Sequence, residues 1–398
     1  MDDILQAIKD DKLFGFIKCT IHVPEHLISK FSEFPPIFKN TEISMADIGE
    51  HMQGYCRGIE RRHCVKKSLI SSMKSDDILL LTPLLKQYLK MGLVVTDISL
   101  VVEYNGKQVF EWFMEEVCDD RRRADMDPAY AVHGETSKTM GNMGYGGTIM
   151  DRTKHTTTSF ANEKNVPIHV ANPMFKTMSE LNDGVYEVEK KKKKVMLDLP
   201  IQIGTAVYSY AKLRMLQFWE FINDNLDNDK YQLLEMDTDS LYIAFAHDSI
   251  DECVKEDKKD TWEEEKWKWF SSNDYGNTIK FDGRDIPFAQ WDKRTPGKFK
   301  AEFNGLGMIC LNSKVYCIWN EEDTKISCKG TQKKRNELLK EHFLKVLSTR
   351  DWINVENAGF KKTGTKINTY TQKKKGCGYF YAKRQVLDDG ISTVHLDI

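Results

Sequence analysis

YQLLEMDTDSLYIAF, residues 231–245, is the stretch on which the reading of this chain turns. Leu241, Ile243 and Phe245 alternate with Tyr242, Ala244 and Ala246, the period of two expected of a half-buried strand. Residues 231–236 form an apolar run on the other side of Asp237-Thr-Asp239-Ser. Strand, tight turn, strand is the expectation for 231–246, with Asp237 and Asp239 at the tip. Two carboxylates converging at a turn are hard oxygen donors of the kind Mg²⁺ takes, since that ion keeps waters and substrate phosphates in its remaining positions. Asp-rich turns also cap hairpins with no ligand at all, so the motif gains its meaning from what surrounds it.

Upstream, Lys138-Thr-Met-Gly-Asn142-Met-Gly-Tyr145-Gly146 lies in a stretch that reads as helix from about 136 to 145. Lys138 and Asn142 are four residues apart and share a face, and Tyr145 follows one turn later. A cation, an amide and an aromatic ring on one helix can hold a triphosphate and stack beside a base pair. Taken alone, the stretch reads as an amphipathic helix with a glycine-rich C-terminal cap. Before it, VFEWFMEEVCDDRRR (109–123) reads as a helix whose cationic end, with Arg121 and Arg122, complements the helix dipole, and Pro128 breaks it. Downstream, Leu311-Asn-Ser-Lys314-Val-Tyr316 is a short strand-like segment carrying one cation and one phenol, and otherwise an edge strand.

The rest of the chain sets bounds. Its 398 residues exceed what one ordinary core encloses, so two or three domains are expected. A net charge of −2 excludes a chain that is basic throughout, and any nucleic-acid contact must come from local clusters. Candidates are the five lysines at 190–194, which read as a solvated hairpin face or a phosphate contact, and the region 331–398 with Lys333, Lys334, Arg335, Lys361, Lys362 and the lysines at 373–375. No apolar run is long enough to span a membrane, and the acidic, amphipathic N-terminus is not a secretory leader. Nine cysteines without CxxC spacing read as reduced thiols of an intracellular protein. The closest of them, Cys310, Cys317 and Cys328, lack an evident tetrahedral ligand set. Residues 14–24 read as β-rich, 80–92 as a helix closed by Gly92, and 148–187 as polar and loop-rich. Residues 201–222 are the best helix, with Ile203, Val207, Tyr210 and Leu213 as its core face, and 250–270 read as a charged surface helix or insertion.

Taken in order, these features resemble the family B DNA polymerases. KTMGNMGYG (138–146) is similar to the family's motif B, KxxxNSxYG, with Met143 in place of Ser. DTDS (237–240) is similar to motif C, with Glu235 where a Tyr often precedes it, and Ser313-Lys314-Val-Tyr316 to the KxY motif. HVPEHL, PPIFKNTEI, LLTPLLKQYL, LDLPIQIG and TPGKFKAEFNGLGMICLNSKVY look most like the protein-primed polymerases of viruses and large eukaryotic DNA transposons, so the resemblance covers nearly all the chain. It implies an α+β right hand, with a palm of antiparallel sheet backed by helices, fingers and a thumb. The segments it implies are 1–104 (palm edge plus the insertion between motifs A and B), 105–150 (fingers with motif B), 151–195 (an insertion after the fingers), 196–330 (palm with motif C and KxY) and 331–398 (thumb).

The resemblance also implies a reaction: templated nucleotidyl transfer from dNTPs to a primer 3′-hydroxyl, with two Mg²⁺ ions. Asp239 would ligate both metals and Asp237 would support the site. Lys138, with Arg121 and Arg122, would neutralise the triphosphate, Asn142 would share that nucleotide-binding face, and Tyr145 would line the nascent base pair. Lys314 and Tyr316 would hold the primer terminus, and the lysine-rich thumb would grip duplex through its phosphates. The implied partners are primer–template DNA, dNTPs and a terminal-protein primer, with no membrane and an intracellular location, nuclear or cytoplasmic. A second catalytic Asp is implied as well, in a DxxSLYP motif ahead of motif B. Asp97-Ile-Ser-Leu matches it in part, and DTDSLY (237–242) matches by letters but follows motif B. That motif and the family's exonuclease domain are expected upstream of residue 1, and the 398 residues alone are expected to bind primer–template DNA and extend it negligibly. Two rivals stand beside this reading. One is a catalytically inactive nucleic-acid-binding remnant of a mobile-element polymerase, which the missing motif favours. The other is a reverse transcriptase, against which stand DTDS in place of a DD pair and the motif B helix.

Overall fold

The computed structural model describes residues 1–60, 66–363 and 366–398; Cys64 and the side chains of Lys361 and Lys362 lie outside the described residues. Helix makes up 38% and strand 33%, with small antiparallel sheets, so the chain is α+β as expected. It divides into two compact units. The first comprises Met1–Asn142, Ala206–Asn304 and Phe380–Ile398, and the second Met143–Thr205 and Gly305–Tyr379. Among the described residues no helix is long and apolar enough to cross a membrane.

In the first unit, strand Gly15–His22 is the centre of a three-stranded antiparallel sheet, flanked by Lys74–Leu81 and Val94–Glu103. Its alternation buries Ile17, Cys19 and Ile21 completely, as a strand with one core face requires. Helix Thr82–Lys90 joins the flanking strands; Pro83 pre-sets its first turn, and Gly92 closes it at φ +90°. Its Tyr88 is buried, and the hydroxyl donates to the Pro36 carbonyl at 2.7 Å. The C-terminal half of helix Ile201–Asn225 forms the other wall of this core through Met215, Leu216, Phe218, Trp219 and Ile222.

That wall differs from the stripe expected at Ile203, Val207, Tyr210 and Leu213. Leu213 does reach the core, but Tyr210 is exposed. The helix carries apolar residues on more than one stripe, and periodicity alone does not say which is covered. The charged stretch at 250–270 also differs in part from a surface helix. Trp262, in the short helix Lys259–Glu265, is buried and stacks on Phe221 at 5.1 Å between ring centres.

In the second unit, strand Val315–Trp319 is central to a sheet with Gly307–Asn312 and Thr324–Cys328, and helix Lys340–Thr349 packs on it with Phe343 and Val346 buried. A long antiparallel ribbon follows, Trp352–Thr363 paired with Lys366–Gly378. Residues 148–187 are not loop-rich. Strands Thr156–Asn162 and Phe175–Asn182 pair on either side of Val185–Lys191. Lys190 and Lys191 end that central strand, opposite Thr157 and Thr156. Of the lysine-rich region from 331 on, residues Phe380–Ile398 belong to the first unit, where the short strands Gln385–Val386 and Thr393–Val394 pair.

Candidate active site

The expected hairpin is present: strands Tyr231–Asp237 and Ser240–Phe245 are antiparallel, closed by the pair Asp237↔Ser240. Two residues, Thr238 and Asp239, make the turn. Thr238 takes a left-handed backbone at φ +55°, which a β-branched residue adopts only under constraint. The turn braces itself: the Asp239 N–H donates to the Asp237 carbonyl at 2.6 Å, the Thr238 hydroxyl to the Asp237 carboxylate at 3.1 Å, and the Ser240 hydroxyl to the Asp237 carbonyl at 3.2 Å.

A register shift between Tyr242 and Ile243 resets the alternation. As a result Tyr231, Leu233, Met236, Leu241, Ile243 and Phe245 all pack on the core, and Asp237 shares the opposite, polar face with Ser240, Glu235 and Tyr242. At the base, the Tyr231 hydroxyl donates to Asn223 at 2.5 Å, tying the hairpin to the long helix. Burial pushes this phenol up to about 12, so it stays a protonated donor at neutral pH. Asp239 is exposed and Asp237 half-buried. Glu235 is a third carboxylate on the Asp237 face that sequence reasoning treated only as a departure; its two-residue spacing from Asp237 was the available signal.

Whether Mg²⁺ suits this turn depends on the donors. Among the described residues no group of three or more His, Cys, Asp or Glu side chains could hold a metal ion. The tip therefore does not make an all-protein cage. Asp237 and Asp239 fit the other arrangement, in which one or two carboxylates hold the ion and substrate oxygens complete it. The cysteines at 310, 317 and 328 differ in exposure. Cys310 is exposed, Cys317 and Cys328 are buried, and a hydrogen bond from Cys377 holds the Cys328 thiol below its ordinary value despite burial.

Helix Ala131–Gly146 carries Lys138, Asn142 and Tyr145. Its partner in the first unit is helix Glu111–Met126, and the two run antiparallel at close range through a stripe of small residues. A Cβ on Gly134 would lie 2.5 Å from that of Ala124, and one on Gly141 would touch Val117 at 3.4 Å. Between them the Ser137 hydroxyl donates to Asp120 at 2.6 Å. Lys138 and Asn142 are exposed, and Lys138 lies 3.8 Å from Glu135, a weak surface pair. Tyr145 is half-buried, and its carbonyl accepts from the Thr148 hydroxyl at 2.6 Å.

The arginines of helix Glu111–Met126 divide. Arg121 is half-exposed. Arg122 is buried; it donates to Asp119 at 2.6 Å and to the Trp291 carbonyl at 3.1 Å, with its guanidinium 4.2 Å above the Trp291 ring. In the second unit, Lys314 is not within a strand but at the turn between Gly307–Asn312 and Val315–Trp319, at φ +62°. Its carbonyl accepts from the Lys329 N–H and the Ser327 hydroxyl, both at 3.1 Å. Tyr316 is buried in the central strand, opposite Cys310 and Ser327. Comparison with protein-family models, curated proteins and solved structures gives no match to this chain.

Proposed function

We propose that the chain is the palm-bearing part of a DNA-directed DNA polymerase of family B, of the protein-primed kind. The observation that carries the reading is the acidic turn: two carboxylates at the tip of a hairpin whose other face is anchored in the core. Support comes from the exposed Lys138 and Asn142 on a helix of the same unit, four residues apart as motif B has them. In this reading Asp237 and Asp239 hold Mg²⁺, which when bound offsets charge on the triphosphate and the leaving pyrophosphate. The Lys138 ammonium neutralises phosphate charge, Asn142 donates and accepts beside it, and Tyr145 offers its ring to the nascent pair. Arg121 is the arginine left for the triphosphate, because Arg122 is buried against Trp291. Lys314, exposed at its turn, contacts the primer backbone, and Tyr316 packs the strand behind it.

The test is primer–template binding and extension, run on the chain with and without an added segment bearing a DxxSLYP motif. Salt-sensitive DNA binding is expected in both, and Mg²⁺-dependent extension once that segment is supplied. Asp239→Ala abolishes extension and leaves binding intact. Binding that is intact while no arrangement extends the primer favours the inactive nucleic-acid-binding remnant. Absence of DNA binding overturns both readings.

A further inference from the structure

The helix pair Glu111–Met126 and Ala131–Gly146 has little apolar contact to hold it. Among its described side chains, Val117 and Cys118 are the large apolar ones that are buried, while Trp112 is 73% and Val132 75% exposed. What fixes it to the first unit is a row of arginine contacts with the segment 278–295. Arg122 stacks on Trp291 and donates to its carbonyl. Arg123 lies 3.7 Å from Asp282, and its guanidinium is 5.9 Å from the Phe281 ring centre. From the other side, Arg294 grips Asp125 with two hydrogen bonds of 2.6 and 2.5 Å, in the fork geometry that makes an arginine–carboxylate pair directional. The Arg294 side chain is partly covered, and Asp125 lies on the exposed side of its helix, so the directional fork geometry and not burial is what distinguishes the pair.

The receiving segment is itself stiff. Strands Thr278–Phe281 and Arg284–Pro287 pair across the Asp282-Gly283 turn, and helix Phe288–Asp292 follows. Asp292, almost fully buried, accepts from the Ser272 N–H, the Thr295 hydroxyl and the Lys298 ammonium, each at 2.8 Å. Contacts therefore run without a break from the Asp292 knot through Trp291 and Arg294 to helix Glu111–Met126. They continue through Ser137 and the glycine stripe to the helix face that bears Lys138 and Asn142.

We propose that Arg122, Arg123 and Arg294 form a polar latch with segment 278–295 that sets the orientation of the helix pair, and so act as positioning residues for the incoming nucleoside triphosphate. The nucleotide half of this rests on the polymerase reading; the latch itself does not. A polar latch suits an element that must be held and also released, because directional ion pairs exchange with water more readily than an interdigitated apolar interface.

Hydrogen exchange on the whole chain tests the latch without any activity assay. In Arg294→Gln, amides of 111–142 are expected to exchange at least about tenfold faster, with Tyr231–Phe245 unchanged. The charge-swapped double variant Asp125→Arg/Arg294→Asp is expected to regain protection. Trp291→Ala, which removes the stacking surface and leaves the ion pair, gives an independent loss in the same segment. Unchanged exchange in 111–142, or a rise spread equally over Tyr231–Phe245, overturns the latch. In an extending protein, Arg294→Gln is expected to raise KM for dNTP about tenfold while DNA affinity stays constant. Faster exchange with an unaltered KM overturns the positioning role. Faster exchange in a protein that extends under no condition upholds the latch and removes the polymerase reading.

Discussion

The Thr238–Asp239 turn and the Ser313–Lys314 turn each put a charged residue at the tip of an antiparallel pair, and each forces a non-glycine residue into left-handed backbone, Thr238 at φ +55° and Lys314 at φ +62°. They are braced from different directions. The acidic tip is closed by its own side chains, through the Thr238 and Ser240 hydroxyls. The basic tip is held by a third strand and the turn that follows it, through the Ser327 hydroxyl and the Lys329 N–H, which both reach the Lys314 carbonyl. A two-stranded pair keeps both edges and one polar face accessible, whereas a central strand has neighbours on both sides. In the proposed polymerase, the first arrangement would suit carboxylates that meet an ion and a substrate. The second would suit a cation held in one place against a phosphate backbone.

The broadest way to break this comparison is to remove the support beneath each tip. Trp262→Ala, in the core cluster on which the acidic hairpin packs, and Phe343→Ala, against the Gly307–Asn312 and Val315–Trp319 strands, each delete a fully enclosed ring. Each is expected to cost about 3–5 kcal/mol. Hydrogen exchange is expected to assign the losses separately, to Tyr231–Phe245 for Trp262→Ala and to 307–328 for Phe343→Ala. Loss at both hairpins from either substitution would mean that the two tips share one support.

Substitution at the tips themselves sharpens the contrast. In the protein supplied with the DxxSLYP segment, Asp239→Ala is expected to lower Mg²⁺-dependent extension by more than about 100-fold, since even outer partners of a metal site are worth 10–100-fold. DNA affinity should hold, because removing one carboxylate leaves the lysines in place. Lys314→Ala is expected to do the reverse. It weakens primer–template binding several-fold and lowers the slope of log affinity against log salt by about 1, the signature of one lost phosphate contact. Equal effects of the two substitutions on binding and on extension would erase the division of labour.

Legibility followed the same physics. The 231–246 hairpin was readable because one buried face imposes alternation on the strand. Helix Thr82–Lys90 was readable because Pro83 and Gly92 punctuate it. The sheet built from Thr156–Asn162, Phe175–Asn182 and Val185–Lys191 was not, because its strands bury few side chains, Ala161 and Val188 among them. With little on a core face there is no period of two to detect. Of the candidate site, the residues at the tips were legible as chemistry. The engagement of Arg122 with Trp291 was not, since 169 residues separate the partners and nothing local marks them. Lys314 was read within a strand because Ser-Lys lacks the glycine or asparagine that announces a two-residue turn.

That absence of glycine supplies the smallest and most discriminating test. Left-handed backbone costs a non-glycine residue roughly 1–2 kcal/mol, and glycine in its place gives back about 0.5–1 kcal/mol through its greater unfolded-state freedom. Lys314→Gly is therefore expected to stabilise the protein by up to about 1 kcal/mol in denaturant unfolding, while DNA binding falls as it does for Lys314→Ala. Thr238→Gly is expected to gain less, because it also loses an exposed hydrogen bond to Asp237 worth about 0.5 kcal/mol. Its activity is expected to fall although its stability does not, since the freed turn no longer fixes where Asp237 and Asp239 point. Thr238→Asn separates the two effects: asparagine tolerates the left-handed region and keeps a polar side chain beside Asp237. If Asn restores extension and Gly does not, the turn matters through the order it imposes on the carboxylates. If Thr238→Gly extends primers as well as the parent, the strain at the acidic tip serves the hairpin alone, and the two turns differ in charge but not in kind.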